Sequence, residues 1–511
     1  MPFVPPSSRA EELWPSYHLS VLPEEGVACP YDPNGAIYWN GRAHLMYIYQ
    51  DRSLPRDRHC WGHYSSADLV HWEVHPPCLE PAAEGTGIGI FSGNAFVNRD
   101  GVPMLCWYGI DAGVCVATPL DDDLIRWEKH PGNPIIPKPA PGGPGDGVYG
   151  VFDPFLFRQG DQYVCLLSAN RLPNGKDTQY VMTSPDLVHW TPRHPLYEHP
   201  DPLWTLDAED CSCPDFFPLR SPATAGDRHV LLCISHNIGT RCYVGRFDER
   251  ELRFYPERHQ RMNWPGGSFF APESLLMPDG RRLFWGWITD VRVATTRNAT
   301  GSGVQSLPRV MEPAADSTLL VKPAVELEAL RRNRRTLPGG EVTNETRDLP
   351  GITGSALELA AEIDPGDATA VGLQVCCSPD GREATAIWYD AARGRLIVDM
   401  TFSTLRDDVS YCTGPVMIYS VQSHATNRQM TNTVEAPFAL AGGETLKLRV
   451  FLDGPVLEVF ANDRQCVTAQ VFPALPESRQ VRLAARGGTA RLIAGEAWDM
   501  APIEVVNHKH S

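Results

Sequence analysis

Apolar residues fall in short runs divided by turns bearing Gly, Pro or Asp, and over the first 300 residues these runs come in pairs. The pairs are residues 36–39 with 44–49, 94–97 with 102–108, 154–157 with 163–167, 215–219 with 229–234, and 273–276 with 282–287. Short runs rich in β-branched and aromatic side chains, bounded by turn residues, predict β-hairpins. Three units then close on a second pattern: Asp68-Leu69-Val70-His71-Trp72, Asp123-Leu124-Ile125-Arg126-Trp127 and Asp186-Leu187-Val188-His189-Trp190. A spacing of roughly 55 to 63 residues holds four strands with their loops, so five such units predict a five-bladed β-propeller. The Asp-Leu-x-x-Trp elements themselves predict a turn and a Trp packed between blades, an architectural part.

After Leu307-Pro308-Arg309-Val310 the repeat ends. Residues 323–335 read as a helical stretch, with Arg331-Arg332-Asn333-Arg334-Arg335 as its solvated end. Alternating strands follow, at 386–389, 395–399, 446–452 and 456–460 among others, separated by Asp-Gly and Gly-Gly turns. Strands of about five residues with such turns fit a β-sandwich. The expectation is an all-β chain: a propeller over residues 1–320, a linker with a short helix over 321–345, and a sandwich over 346–511. A length of 511 residues agrees with two domains, because single cores stop growing at roughly 250–300 residues.

Charge narrows the partners. The net charge of −17 argues against nucleic acid, whose binding rests on neutralising phosphates with Lys and Arg. No stretch approaches the ~18 consecutive apolar residues of a membrane span, and the N-terminus lacks a basic start followed by an apolar run, so a soluble, unexported, cytoplasmic chain is expected with no membrane partner. Several of the 14 cysteines lie inside apolar strands, as Cys106, Cys165, Cys233, Cys376 and Cys377 do, where a thiol behaves as a small hydrophobe. Cys211-x-Cys213, with His236 and His59 elsewhere, lacks the paired C-x2-C spacing of a zinc site. No Gly-rich phosphate loop is present, so no metal and no cofactor are expected. Oligomeric state is not legible.

Candidate chemistry sits at the strand thresholds. Cys29-Pro30-Tyr31-Asp32-Pro33-Asn34-Gly35, Val151-Phe152-Asp153-Pro154 and Asp210-Cys211-Ser212-Cys213-Pro214-Asp215 each place a carboxylate beside a proline where an apolar strand begins. Acids at equivalent points of units set in a ring converge on its axis, and converging carboxylates are what glycosidic cleavage requires.

Asp32-Pro33-Asn34-Gly35, Trp61-Gly62-His63, Phe91-Ser92-Gly93, Phe269-Phe270-Ala271-Pro272-Glu273, Leu307-Pro308-Arg309 and Leu457-Glu458-Val459-Phe460-Ala461-Asn462-Asp463 occur in an order that resembles glycoside hydrolase family 32, the β-fructofuranosidases. The resemblance runs from about Tyr17 to about Phe472 and implies a five-bladed propeller followed by a sandwich. It implies a retaining hydrolysis of fructofuranosyl or related furanosyl bonds in a small oligosaccharide. Asp32 would be the nucleophile, and Asp153 would hold sugar hydroxyls and steady the transition state. Where the family carries Glu-Cys-Pro-Asp, this chain has Ser212 before Cys213-Pro214-Asp215, and Ser cannot protonate a leaving group near neutral pH. Asp210, two residues upstream and so on the face of Ser212, is the first candidate for the general acid/base. Glu209 is the second, through a bulge.

The family's Trp-Met-Asn before the nucleophile is Cys29-Pro30-Tyr31 here, and its Arg before the second acid is Phe152, exchanges that put aromatic surface where polar reach is usual. The resemblance makes Asn34, Gln50, Trp61, Phe91, Ser92, Tyr31, Phe152 and Glu273 candidate substrate-binding residues. Three alternatives stay open: a fructosyltransferase or difructose-anhydride-forming enzyme with the same residues, a carbohydrate-binding protein that has lost its acid, and an arabinan- or xylan-directed enzyme.

Overall fold

The computed structural model describes residues 14–20, 31–50, 59–81, 89–173, 175–198, 210–220, 228–236, 239–289, 303–314, 316, 318–407, 409, 411 and 431–508. Among these, the chain as far as Pro323 forms five sheets. The first strand of each, Pro33–Trp39, Ile90–Val97, Pro154–Gln159, Ser212–Leu219 and Phe270–Leu276, touches the next, and the fifth touches the first. This closed ring of inner strands surrounds a channel of about 910 Å³ lined by Ala36, Asn94, Phe155, Asp215 and Glu273.

Four of the five inner strands carry a register shift near their start, between Asn34 and Ile37, Ile90 and Gly93, Ser212 and Asp215, and Phe270 and Glu273. A bulge re-aims the side chains beside it and increases the local twist. Here the bulges sit at one end of the ring, the end at which Asp32, Ser92 and Cys213 are found. Gly93 permits the closest of these approaches: a Cβ there would lie 2.0 Å from the carbonyl oxygen of Cys106.

The Asp-Leu-x-x-Trp elements are turns with a fixed mechanism. Asp68 accepts the backbone N–H groups of Val70 and His71, Leu69 takes φ 66°, and the Trp72 indole donates to the Leu69 carbonyl at 2.9 Å. Trp127 and Trp190 repeat the bond to Leu124 and Leu187. Trp72 is buried with its ring against Trp285 of the fifth sheet, an edge contact between two blades.

The second domain pairs a seven-stranded sheet with a six-stranded one. Leu357, Leu359, Leu448 and Val450 from one face Val371, Leu373, Ile387 and Val398 from the other in a single core. The predicted linker is corrected here. Val325–Leu330 is a 3-10 helix, and Arg331–Thr336 is already a strand of the sandwich, paired with Thr489–Met500. The basic run is therefore a sheet edge rather than the end of a helix. Its guanidiniums find carboxylates across the sheet: Arg331 on Glu358 at 2.8 Å, Arg334 with Glu496 and Arg335 with Asp499. Near the C-terminus, Glu504–Asn507 returns to pair in parallel with His71–Leu79 of the first blade.

The two domains meet through a buried charge network. Arg309 of the fifth blade donates to Glu458 of the sandwich at 2.9 Å, with both side chains at 1% exposure or less. Glu458 also accepts the Leu307 N–H at 3.0 Å and lies 3.4 Å from His18, whose other ring nitrogen is 2.8 Å from Asp453. Burial works against a charged imidazole, but the bonds to Asp453 and Glu458 outweigh it and raise His18 to about 9. Two of the motifs that carry the family resemblance, Leu307-Pro308-Arg309 and Leu457-Glu458-Val459-Phe460, are thus the two halves of an interdomain lock.

Candidate active site

Asp32 stands at the head of the first inner strand, where Pro33 removes a donor and begins the sheet. Its carbonyl accepts the Ile48 N–H and the Asn34 side-chain amide, and the Asn34 Oδ1 accepts the Gly93 N–H at 2.9 Å. Asn34 thereby ties the first blade to the second. With its Oδ1 and one N–H engaged in this frame, Asn34 positions Asp32.

The Asp32 carboxylate accepts the Ser92 hydroxyl at 3.0 Å. Asp153 heads the third inner strand, with its carbonyl held by Ser168 and its Oδ2 accepting the Cys213 N–H at 3.1 Å. The Cys213 thiol lies between the two acids, 3.7 Å from Asp32 Oδ2 and 3.4 Å from Asp153 Oδ2. Both carboxyl groups therefore face one small space. In each, Oδ1 is buried and makes no hydrogen bond among the described residues.

Burial raises Asp32 to about 7, with the charge of Asp153 adding to the effect and Ser92 and His236 opposing it. Burial likewise raises Asp153 to about 6, against the pull of His236 and Cys213. The thiol of Cys213 is pushed up by burial and by both acids, so it stays protonated, with its single proton within reach of either.

Asp210 lies where the alternation placed it, on the side of Ser212, whose hydroxyl donates to its Oδ2 at 3.0 Å. The pairing of Ser212 with Ile234, continued outward, sets Asp210 opposite His236. The His236 Nδ1 is 2.6 Å from Asp210 Oδ2, and the His236 N–H donates to Oδ1 at 2.8 Å. Burial would raise Asp210, but the His236 hydrogen bond and charge prevail and hold it down at about 2. Asp210 is an anion at neutral pH, which corrects its expected part as the protonated acid. Glu209, and Asp207 before it, lie outside the described residues.

Phe152 forms one wall of the space, its ring 5.7 Å from Phe91, 5.0 Å from Tyr108 and 6.2 Å from His236. Gln50, half-buried, ends its strand opposite His59.

Three expectations fail, each for a packing reason. Trp61 has 0% exposure, with its indole donating to the Phe91 carbonyl and its ring under Gly35, so no face is left to stack on a sugar. Tyr31 is also fully buried, its hydroxyl 2.7 Å from that of Tyr64 and its ring against Tyr47. Glu273 turns into the central channel beside Asp215, where its carboxylate accepts the Ala36 N–H at 3.3 Å.

His236 entered the sequence reading only as part of a rejected metal site, and Cys213 only there and as a marker of the Cys-Pro-Asp motif. A hairpin register drawn through residues 212 and 234 is the signal that would have put His236 across from an acid. Cys213 takes φ 46° within its bulge, a conformation that no sequence pattern announces.

The match to known families and structures agrees with this architecture. Residues 27–323 match the glycosyl hydrolases family 32 N-terminal domain, and residues 326–499 match the family 32 C-terminal domain. The chain is 27% identical to beta-fructofuranosidase, insoluble isoenzyme 2, of Oryza sativa subsp. indica, over 99% of this chain and 92% of that protein. It is 26% identical to sucrose-6-phosphate hydrolase of Escherichia coli, over 96% of each. Its fold superposes on fructan 1-exohydrolase IIa from Cichorium intybus with a TM-score of 0.80, at 21% identity and covering 97% and 98% of the two chains. Matched in both of its domains, the chain belongs to glycosyl hydrolase family 32.

Proposed function

We propose that this chain hydrolyses β-fructofuranosyl bonds of short oligosaccharides with retention of configuration. Asp32 is the nucleophile and Asp153 the group that holds sugar hydroxyls as charge develops at the anomeric carbon. The observation that carries the reading is the meeting of these two buried carboxylates, from different blades, on one sulfur atom, each with an oxygen left unbonded among the described residues. Retaining enzymes work through a carboxylate nucleophile that forms a glycosyl-enzyme, which water then opens. The names of its relatives, beta-fructofuranosidase and sucrose-6-phosphate hydrolase, support fructose as the transferred sugar.

Following sucrose and 1-kestose by proton NMR tests this directly. The first fructose released is expected as the anomer of the substrate linkage, and release of the opposite anomer overturns the reading. A product longer than the substrate would show that a sugar hydroxyl replaces water at the intermediate.

The pH dependence has a defined sign. Asp32 must be ionised to attack, and burial raises it to about 7, so kcat/KM is expected to rise with pH through about 7 instead of peaking in the acid range. A profile flat from pH 5 to 8 contradicts this. The same shift acts on stability in the opposite direction. A carboxyl raised above its unfolded value contributes stability that is full below about pH 4 and lost as the pH climbs through the folded value.

A further inference from the structure

We infer that His236 gives a proton to the leaving sugar and takes one back from the attacking water, with Asp210 as the residue that orients it. The inference rests on the glycosidase reading above.

The position that a family Glu would fill is Ser212, and its hydroxyl is engaged with Asp210. Asp210 itself is committed as an anion to two bonds from His236. Asp32 and Asp153 are needed as the nucleophile and its partner. The Cys213 thiol is turned to the two acids, so of the described groups at the site the imidazole remains. Its Nδ1 is taken by Asp210, Nε2 makes no hydrogen bond among the described residues, and 27% of the side chain is exposed.

The ring stands between Phe152 at 6.2 Å and Phe270 at 6.4 Å, on the wall of the space that holds Asp32 and Asp153. The groups that face it are Asp210, Asp153 and Asp32. Arg241 comes close too, but it donates to the Asp210 carbonyl and pairs with Asp177. Burial lowers the imidazole, but the Asp210 bond, and then the charges of Asp210, Asp153 and Asp32, raise it above its usual value. The imidazole is therefore more readily protonated than a free one, the direction a proton donor to the leaving group requires.

The steps balance without another reagent. Asp32 forms a bond to the anomeric carbon as the glycosidic C–O bond breaks, and its electron pair leaves with the oxygen. That oxygen takes the proton from Nε2. Water then gives a proton to Nε2 while its oxygen replaces Asp32, and the imidazolium is restored.

General acid catalysis contributes about 10²–10⁴-fold when the leaving group is poor and little when it is good. The test compares 1-kestose with 4-nitrophenyl β-fructofuranoside across pH in the full chain. His236→Gln is expected to lose about 10²–10⁴-fold in kcat on 1-kestose and less than about tenfold on the nitrophenyl substrate, with the alkaline limb of kcat/KM abolished. Equal losses on both substrates, or an unchanged alkaline limb, overturn the proposal. So does a Glu209→Gln variant that shows the selective loss while His236→Gln does not.

Should His236→Gln fail to fold, Asp210→Asn reports instead. The alkaline limb is expected to move to lower pH as the imidazole loses its charged partner, and an unmoved limb overturns the assignment. A parent protein that cleaves neither substrate sinks the glycosidase reading itself, whereas an active parent with a fully active His236→Gln variant sinks only the role of His236.

Discussion

Asp32→Asn is expected to reduce kcat on sucrose and 1-kestose by about 10³-fold or more, the scale seen when a covalent nucleophile is removed. At pH 8 its stability should equal or exceed that of the parent. The two effects share one cause. The Asp32 carboxylate is buried at 3% exposure beside Asp153, an acid of like charge, and burying an unpaired charge costs free energy that an amide of the same shape avoids. A residue whose replacement abolishes turnover and stabilises the fold is held in place for chemistry. Steady-state kinetics and thermal unfolding of the same preparation check both halves. An Asn variant that unfolds several degrees below the parent at pH 8 would make Asp32 a structural turn residue.

The second large effect concerns the lock between domains. Glu458→Gln is expected to cost about 3–5 kcal/mol, because it leaves Arg309 as an uncompensated charge in a buried interface. Arg309 has 1% exposure, and its other bonds, to Thr468 and across the face of the Phe269 ring, do not neutralise it.

The network also sets a pH window. His18 is raised from 6.5 to about 9 in the fold, so its contribution is complete below about pH 6.5 and is lost as the pH rises through about 9. In Glu458→Gln, which removes one of its two carboxylate partners, that alkaline loss should begin at lower pH. Thermal midpoints measured from pH 6 to 10 check both statements. A midpoint within a degree of the parent's across that range would mean that the ion pair contributes nothing to holding the domains together.

Much of this organisation was legible in the chain because propeller strands are short, paired and punctuated. The apolar runs located the inner hairpins, and the prolines after Asp32 and Asp153 located the acids at their heads. The Ser at position 212 marked the departure in the acid/base.

What misled was direction. Tyr31 directly precedes Asp32 in a segment where neighbours point to opposite sides, so it enters the core that Asp32 avoids. Glu273 follows a bulge, and a single extra residue sends a side chain to the other face, here into the channel. The run at 331–335 reads as a helix end from composition, yet Arg334 and Arg335 reach carboxylates on a neighbouring strand, a pairing set by residues more than 150 positions away. His236 was hidden for the same reason: its meaning lies in the cross-strand partner, and Asp210 is 26 residues distant in sequence.

The account depends most on Asp32 becoming covalently bonded to the sugar. Rapid acid quenching of the parent enzyme during turnover of 1-kestose, followed by protease digestion and mass spectrometry, tests that bond. The account predicts one added fructosyl unit on the peptide containing Asp32, absent in Asp32→Asn. A fructosyl unit on any other residue, or rapid turnover with no modified peptide, would contradict it.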